Sequence, residues 1–398
     1  MAPVPSLKLN DGHEIPLLAY GFGTANFRGK DEDMIKATVL AINNGYYHLD
    51  CAECYQNESG VGAGIKASGI DRSKLYITTK VVGTINQDVA AALDTSLSKL
   101  GIDYVDQYLV HVPFSAGSPQ GLQKIWSQME AVQAGGKARS IGVSNFEVED
   151  LEIILETAKV VPAINQIEFH PYLQQREVVD FCRKKGIAIS AYSPLSALTQ
   201  ARPGPVDEVY SELSKKYGVS EGDIALRWCL DQDVVAITTS KSEERLRGYM
   251  TNTLGFKLEP QEVEKISTLG TKKRHQGIGI RTDADHKFHW TSDADAAKFA
   301  TDVVECKDSV NEGFWNVCLG YDNPGDVAEI YGRVRGNPRK GAPEKALAAR
   351  PKSHPTGMWE YLRYFYVLYN VNGTWAPDPF DNEKLGAKGR RRIISSRT

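Results

Sequence analysis

Nowhere does the chain carry an uninterrupted apolar run of about 18 residues, the length a membrane-spanning helix needs, so no segment is expected to lie in a bilayer. The opening stretch MAPVPSLKLNDG lacks the apolar core of a secretory signal, and export is not expected either. Charge is close to balanced, with 47 Lys and Arg against 50 Asp and Glu and a net charge of −3. That gives no electrostatic case for nucleic acid or an anionic membrane surface as a partner. Cysteine is scarce: Cys51, Cys54, Cys182, Cys229, Cys306 and Cys318 among 398 residues. Such usage reads as free thiols in a reducing compartment, and a cytoplasmic location is expected. Cys51 and Cys54 form a CxxC, but no second CxxC and no His pair accompanies them. They read as two small residues at a strand end, and no metal is expected. The glycine-rich GxGxxG fingerprint of open dinucleotide-binding sheets is also missing after the first apolar run, which continues as GFGTAN.

What the sequence does contain is alternation. After a short hairpin pattern, LKL, a turn at NDG, then HEIP, eight strand-like runs appear: LLAYGFG, YYHLD, LYITTK, YVDQYLVH, ARSIGVS, AINQIEF, IAISAYS and VVAITTS. Between them lie helical patterns such as DEDMIKATVLAINNG and QDVAAALDTSLSKLG, which end at Gly45 and Gly101 as capped helices do. LQKIWSQMEAVQAGG and EVEDLEIILETAK show the i, i+3, i+4 apolar spacing of a helix face, and QREVVDFCRKKG and EERLRGYMTN continue the series. VDEVYSELSKKYG and EGDIALRWCLDQ add two helices between the last two strands. Eight strand–helix repeats predict a parallel sheet closed as a (β/α)8 TIM barrel with an N-terminal β-hairpin. A doubly wound open sheet is the runner-up. The barrel is expected to occupy residues 1–298, the part after residue 270 being loop-like. Residues 299–398 show no such repeat. They hold basic, Pro-bearing stretches, read as solvated linker, and an aromatic cluster, MWEYLRYFYVLYNVNGTW, and are expected to be a C-terminal extension of unknown fold.

In a barrel of this kind chemistry sits at the C-terminal ends of the strands. Asp50 ends the second barrel strand with Tyr55 on the loop beyond it, Lys80 ends the third, and His111 ends the fourth. Tyrosine has an ordinary pKa of about 10, too high for easy proton donation near neutrality. A nearby ammonium is expected to stabilise the phenolate and lower that value, with a carboxylate pairing the ammonium. The imidazole is placed to orient a carbonyl. Together the four predict a general acid that protonates an oxyanion as it forms.

At this point the sequence resembles the aldo-keto reductase superfamily, through DCAECYQNE with VGAGIK, ITTKV, YLVHVP, GKARSIGVSNF, NQIEFHPY, AYSPL and IALRWCL leading to TTSKSEERL. The resemblance covers roughly the first three-quarters of the chain. It implies a TIM barrel that takes NADP(H) without a dinucleotide-binding subdomain and reduces an aldehyde or ketone by hydride transfer. It implies Tyr55 as the acid, Lys80 and Asp50 as the residues that tune it, and His111 as the carbonyl-orienting residue. Ser144, Asn145 and Gln166 are implied to hold the nicotinamide carboxamide and Tyr192 to stack on its ring. Ser193 and Leu195 are implied along the pyrophosphate. Ser240, Lys241 and Arg245 are implied at the adenosine phosphate, and Gly23 and Thr24 close to the cofactor. Three positions depart from the usual pattern: Val112 and Ala25 stand where many members have Trp, and Thr239 stands where a phosphate-binding Lys is frequent. The first two imply a substrate pocket that is more open or differently shaped. The TTS variant resembles fungal ketoreductases of the superfamily. The expected partner is a small carbonyl substrate, with the chain a monomer or dimer. The alternative is a nucleotide-sensing, partner-binding barrel with little turnover, as in the potassium-channel β-subunits of the superfamily.

Overall fold

The structure is a computed structural model that describes residues 4–277 except residues 24, 25, 27, 28 and 85. Two short strands, β1 (Ser6–Lys8) and β2 (Glu14–Pro16), pair antiparallel with Leu7 opposite Ile15. Their turn places Gly12 at φ 90°, a left-handed position that asks for glycine. The hairpin buries Leu9 and Ile15 against Tyr76, Leu109, Ile164 and Val235, so it forms a floor under the barrel.

Eight parallel strands follow: β3 (Leu18–Gly21), β4 (His48–Asp50), β5 (Tyr76–Val81), β6 (Val105–Val110), β7 (Ala138–Ser144), β8 (Ile164–Glu168), β9 (Ala188–Tyr192) and β10 (Val234–Thr238). They pair in chain order and β10 closes on β3, so the sheet is a barrel and the open-sheet alternative falls. Strands β5, β6, β8 and β10 are buried on both faces, by side chains inside and helices outside, which is why the runs read as nearly continuous apolar sequence.

The helices are α1 (Asp31–Asn43), α2 (Glu58–Ser68), α3 (Val89–Leu100), α4 (Pro119–Ala134), α5 (Val148–Leu155), α6 (Arg176–Lys184), α7 (Ser196–Thr199), α8 (Asp207–Tyr217), α9 (Glu221–Leu230), α10 (Glu243–Thr251) and α11 (Pro260–Gly270). Their ends follow local chemistry: Asp88 accepts from Ala91 N at 3.0 Å and Ser118 from Gly121 N at 3.0 Å. The small residues of α2 have a packing cause. A Cβ at Gly60 would stand 2.6 Å from Met34 Cβ, one at Gly62 2.5 Å from the Leu100 carbonyl, and one at Gly64 2.5 Å from Thr38 Cβ. Three glycines therefore let α2 lie close against α1 and the end of α3.

The small residues after Tyr55 read as a helix, which is α2; two other helices are absent from the sequence reading. The helix α7 is one turn long, too short for any periodicity. The helix α11 lies beyond Asn252, where the sequence reading ends the barrel's last helix. It buries Ile266 and presents the Ser267 hydroxyl to Trp228 Nε1 at 3.1 Å. Residues 271–277 form the expected loop, tied down by Lys273 Nζ on the Ala201 carbonyl at 2.5 Å and by Gly277 N on Glu168 Oε1 at 2.6 Å. The barrel boundary expected at residue 298, the extension expected over 299–398, and Cys306 and Cys318 all lie outside the described residues.

Candidate active site

The ion pair under the mouth of the barrel follows from strand register. Strands β4 and β5 are neighbours with Asp50 opposite Thr78. Lys80 is two residues further along β5, so it shares Thr78's face and sits one step nearer the mouth. Its long side chain turns back, and Nζ donates to Asp50 Oδ1 at 2.5 Å and to the Cys51 carbonyl at 2.7 Å. From the far side of the barrel Gln166 Nε2 donates to Asp50 Oδ2 at 2.8 Å. Lys80 is fully buried and Asp50 nearly so. Burying both charges costs several kcal/mol per ion before pairing, and three close hydrogen bonds offset part of that cost.

Tyr55 closes a 3-10 turn, Glu53–Tyr55, that leaves β4. The turn is stapled. The Glu53 carboxylate accepts from Val82 N at 3.1 Å and from Gln87 Nε2 at 3.0 Å. Gln56 then takes a left-handed conformation, φ 55°. Asn57 is buried and donates to the Phe22 carbonyl at 2.9 Å and the Asn26 carbonyl at 3.0 Å. It thereby fixes the loop that carries Gly23 against the phenol. Nothing in the sequence marked Asn57 beyond its place in the YQNE motif.

The Tyr55 ring meets the His111 ring edge to face, centroids 5.6 Å apart at 82°, and Lys80 Nζ lies 5.1 Å from the Tyr55 centroid. The sequence expectation for its acidity is reversed. Burial first, and then the Asp50 carboxylate, push the Tyr55 hydroxyl well above the ordinary tyrosine range. The ammonium on which that expectation rested also holds Asp50 and Cys51 and does not outweigh burial, so the resting phenol stays protonated inside a dry site. His111 moves the other way: burial and then the Lys80 charge lower its pKa to about 3, so the imidazole is neutral. Its Nδ1 lies 3.3 Å from Cys54 Sγ. Burial pushes the Cys54 thiol up to about 12. Cys51 and Cys54 are both free thiols, and the Cys54 thiol meets the His111 ring. Val112 is buried beside His111. A neutral phenol and a neutral imidazole at one mouth, above a buried cation, can offer two donors to an oxygen that is gaining negative charge.

The remaining sequence-predicted residues line the same rim. Ser144 Oγ donates to the Gln166 carbonyl at 2.8 Å. Asn145 Nδ2 donates to the His111 carbonyl and to Ser144 Oγ, each at 3.0 Å, while its Oδ1 accepts from the Tyr192 hydroxyl at 2.8 Å. Asn145 and Ser193 hold left-handed backbones at φ 63° and 53°, and neither is glycine. Single strained residues of this sort cost about 1–3 kcal/mol and concentrate at binding sites. Leu195 is half-buried just beyond Ser193. Ser240 Oγ accepts from Ser242 N at 3.0 Å, and Ser242 caps α10 through Arg245 N at 3.3 Å. Lys241 and Arg245 are exposed at that helix start. They are thus part of the rim's outer end, apart from the Asp50, Tyr55, Lys80 and His111 cluster. Thr24 and Ala25 lie outside the described residues.

The rim fits an extended dinucleotide on three observations. Gly23, with no side chain, lies against the Tyr55 ring and adds no bulk beside its hydroxyl. The hydroxyls of Ser190, Ser196 and Thr238, on and after β9 and β10, are buried without a hydrogen-bond partner among the described residues. The start of α10 offers free backbone N–H groups beside two cations, an anion site of familiar kind. Among the described residues no cluster of His, Cys, Asp or Glu is arranged to hold a metal, and no helix is long and apolar enough to cross a membrane.

A sequence model of the aldo/keto reductase family matches residues 19–270. The chain is similar to the NAD/NADP-dependent indole-3-acetaldehyde reductase of Schizosaccharomyces pombe, 39% identical over 268 residues that cover 66% of this chain and 94% of that one. It is 38% identical over 280 residues to the NADPH-dependent alpha-keto amide reductase of Saccharomyces cerevisiae, covering 66% and 89%. Among solved structures, an aldo-keto reductase of Bombyx mori in complex with NADP matches with a TM-score of 0.61 and 34% identity, over 68% of this chain and 94% of that one.

Proposed function

The chain belongs to the aldo/keto reductase family, and from that premise we propose that it is an NADP-dependent reductase of an aldehyde or ketone with Tyr55 as its general acid. The observation that carries the residue assignment is the convergence of Tyr55 and His111 above the buried Lys80–Asp50 pair. The bound reduced dinucleotide supplies a hydride to the carbonyl carbon. Ser144, Asn145 and Gln166 hold its carboxamide, Tyr192 its ring, Ser193 and Leu195 its pyrophosphate, and Ser240, Lys241 and Arg245 its adenosine phosphate.

His111, neutral, gives one hydrogen bond to the substrate oxygen and fixes the carbonyl's direction. Tyr55 gives the second. Because burial keeps the phenol protonated, it still holds its proton when the oxygen becomes an alkoxide, which is the stronger base, and the proton then moves to the oxygen. Lys80 stabilises the phenolate left behind, and Asp50 keeps Lys80 in place. Val112 leaves the pocket without one of the aromatic walls common in the family, which suits a broader range of carbonyl shapes.

The test is a panel of aldehydes and ketones assayed with NADPH and with NADH, on the wild type and on Tyr55→Phe. General acid catalysis is typically worth about 10²–10⁴ in rate. The variant should bind NADPH as the wild type does and lose turnover by that factor. Turnover undiminished in Tyr55→Phe removes the assignment. NADPH binding without turnover of any carbonyl selects the nucleotide-sensing reading instead.

A further inference from the structure

We propose that Cys54 sets the tautomer of His111, its S–H donating to Nδ1 so that Nε2 carries the proton offered to the substrate oxygen. The inference rests on the reading of His111 as the carbonyl-orienting residue and adds a positioning residue behind it. It begins from the 3.3 Å contact between Cys54 Sγ and His111 Nδ1. The backbone on both sides of that contact is pinned. His111 N donates to the Val81 carbonyl at 2.8 Å, and its own carbonyl accepts from Asn145 at 3.0 Å. Cys54 sits in the middle of the 3-10 turn that Glu53 staples to Val82 and Gln87. The thiol is therefore aimed at the ring by the same turn that presents Tyr55.

A neutral imidazole has one N–H and one bare nitrogen, and the hydrogen bond made by one nitrogen decides which form is present. Two arrangements suit a neutral thiol beside a neutral ring. In one, S–H donates to a bare Nδ1, and Nε2–H is left for the site. In the other, Nδ1–H points at sulfur, and Nε2 is left bare. A thiol is weak both as donor and as acceptor, so this contact alone leaves the two arrangements close; what selects the first is the other side of the ring, where Nε2 must offer a proton to a carbonyl oxygen. Nε2 makes no hydrogen bond among the described residues, which leaves it for a ligand. The second arrangement would face a carbonyl oxygen with a lone pair. Burial holds the thiol protonated and the ring neutral across the working range, so the arrangement does not titrate near neutrality.

The test uses the full chain with ¹⁵N-labelled histidine, the His111 signals being assigned by their loss in His111→Asn. Long-range ¹H–¹⁵N spectra of the resting protein report which ring nitrogen carries hydrogen. In the wild type and in Cys54→Ser, whose hydroxyl can also donate, His111 should be protonated at Nε2 alone. In Cys54→Val, of similar size, Nδ1–H should appear, and kcat/KM should fall about three- to tenfold, the worth of one net hydrogen bond. Cys54→Ser should recover most of that loss. Protonation at Nδ1 in the wild type overturns the proposal, as does a Cys54→Val protein with unchanged spectrum and kinetics. The spectra need no turnover. If the protein reduces no carbonyl, the catalytic reading fails while the tautomer assignment is judged on its own, and a misfolded Cys54→Val leaves the wild-type spectrum to decide.

Discussion

Gly23 lies flat against the phenol of Tyr55: a methyl group built on its α-carbon would stand 3.2 Å from both Cζ and Oη. That separation is tight for carbon against carbon and places the methyl beside the hydroxyl proposed to give up a proton. Glycine here keeps open the path by which an oxygen reaches Oη. The backbone does not require it, since Gly23 is not among the left-handed glycines.

Gly23→Ala should therefore act on turnover and spare the fold. Misplacing a reacting group by about 1 Å can cost around a hundredfold, so kcat is expected to drop by roughly ten- to a hundredfold. The melting temperature should move by no more than a few degrees. Steady-state kinetics beside a thermal scan check both halves. Wild-type kcat in the variant would show that Tyr55 yields at no cost and that Gly23 does not guard it.

The buried pair makes a second prediction. Lys80→Met leaves the Asp50 carboxylate enclosed with Gln166 as its side-chain donor. Removing one partner of a buried pair typically costs about 3–5 kcal/mol. Asp50→Asn combined with Lys80→Met removes both charges, and urea unfolding should show it to be more stable than Lys80→Met alone. Turnover should stay low in both, because neither retains a cation to stabilise the phenolate. A double variant with restored activity would make the pair purely structural.

Much of this was legible in the sequence, and the reason is the fold. Parallel barrel strands are covered on both faces, so β5 and β6 announced themselves as apolar runs, and the residues at their ends, Lys80 and His111, could be placed at the mouth by counting. Burial was not legible. The direction of the Tyr55 shift depends on how much water the site excludes and on where Lys80 Nζ turns, and neither is written in a spacing. Cys54 was hidden for a related reason. Its CxxC pattern, with no second CxxC or His pair, read as two small residues at a strand end, while its contact, His111, lies 57 positions away. The helix α11 was hidden because it follows the last barrel repeat, where alternation no longer guides the eye.

Acid stability follows from His48. Its ring is buried between the Pro16 carbonyl at 3.2 Å and Thr78 Oγ1 at 3.1 Å, and burial lowers its pKa to about 4. The unfolded chain takes up this proton at about pH 6.5. Between those values the unfolded state binds more protons than the folded one. The stability His48 contributes is thus complete above about pH 6.5 and is lost as pH falls towards 4, at about 1.4 kcal/mol per pH unit. His111, lowered to about 3, acts in the same sense. Urea midpoints at pH 7 and 4.5 should fall more in the wild type than in His48→Gln, whose amide does not titrate. Equal falls in the two proteins would mean that His48 is protonated in the folded state.

The role proposed for Arg245 in cofactor choice makes a last prediction. Helix α10 begins at Glu243, capped by Ser242, and Arg245 is exposed in its first turn with Lys241 just before it. A guanidinium beside free backbone N–H groups suits the 2′-phosphate that separates NADP from NAD. Two opposing features temper it: Glu243 and Glu244 share the same turn, and Thr239 supplies no charge. Hydrogen bonds to charged groups are worth about 1.5–3 kcal/mol, so one arginine accounts for roughly ten- to a hundredfold discrimination. Arg245→Ala should raise the KM for NADPH by that factor and leave the KM for NADH nearly unchanged, with kcat at saturation preserved for both. Adding salt should narrow the gap between wild type and variant, because Arg245 is exposed and a contact made there would be screened. A KM that rises equally for both cofactors would place Arg245 elsewhere on the dinucleotide, and the phosphate preference would then have to come from Lys241 and the helix start alone.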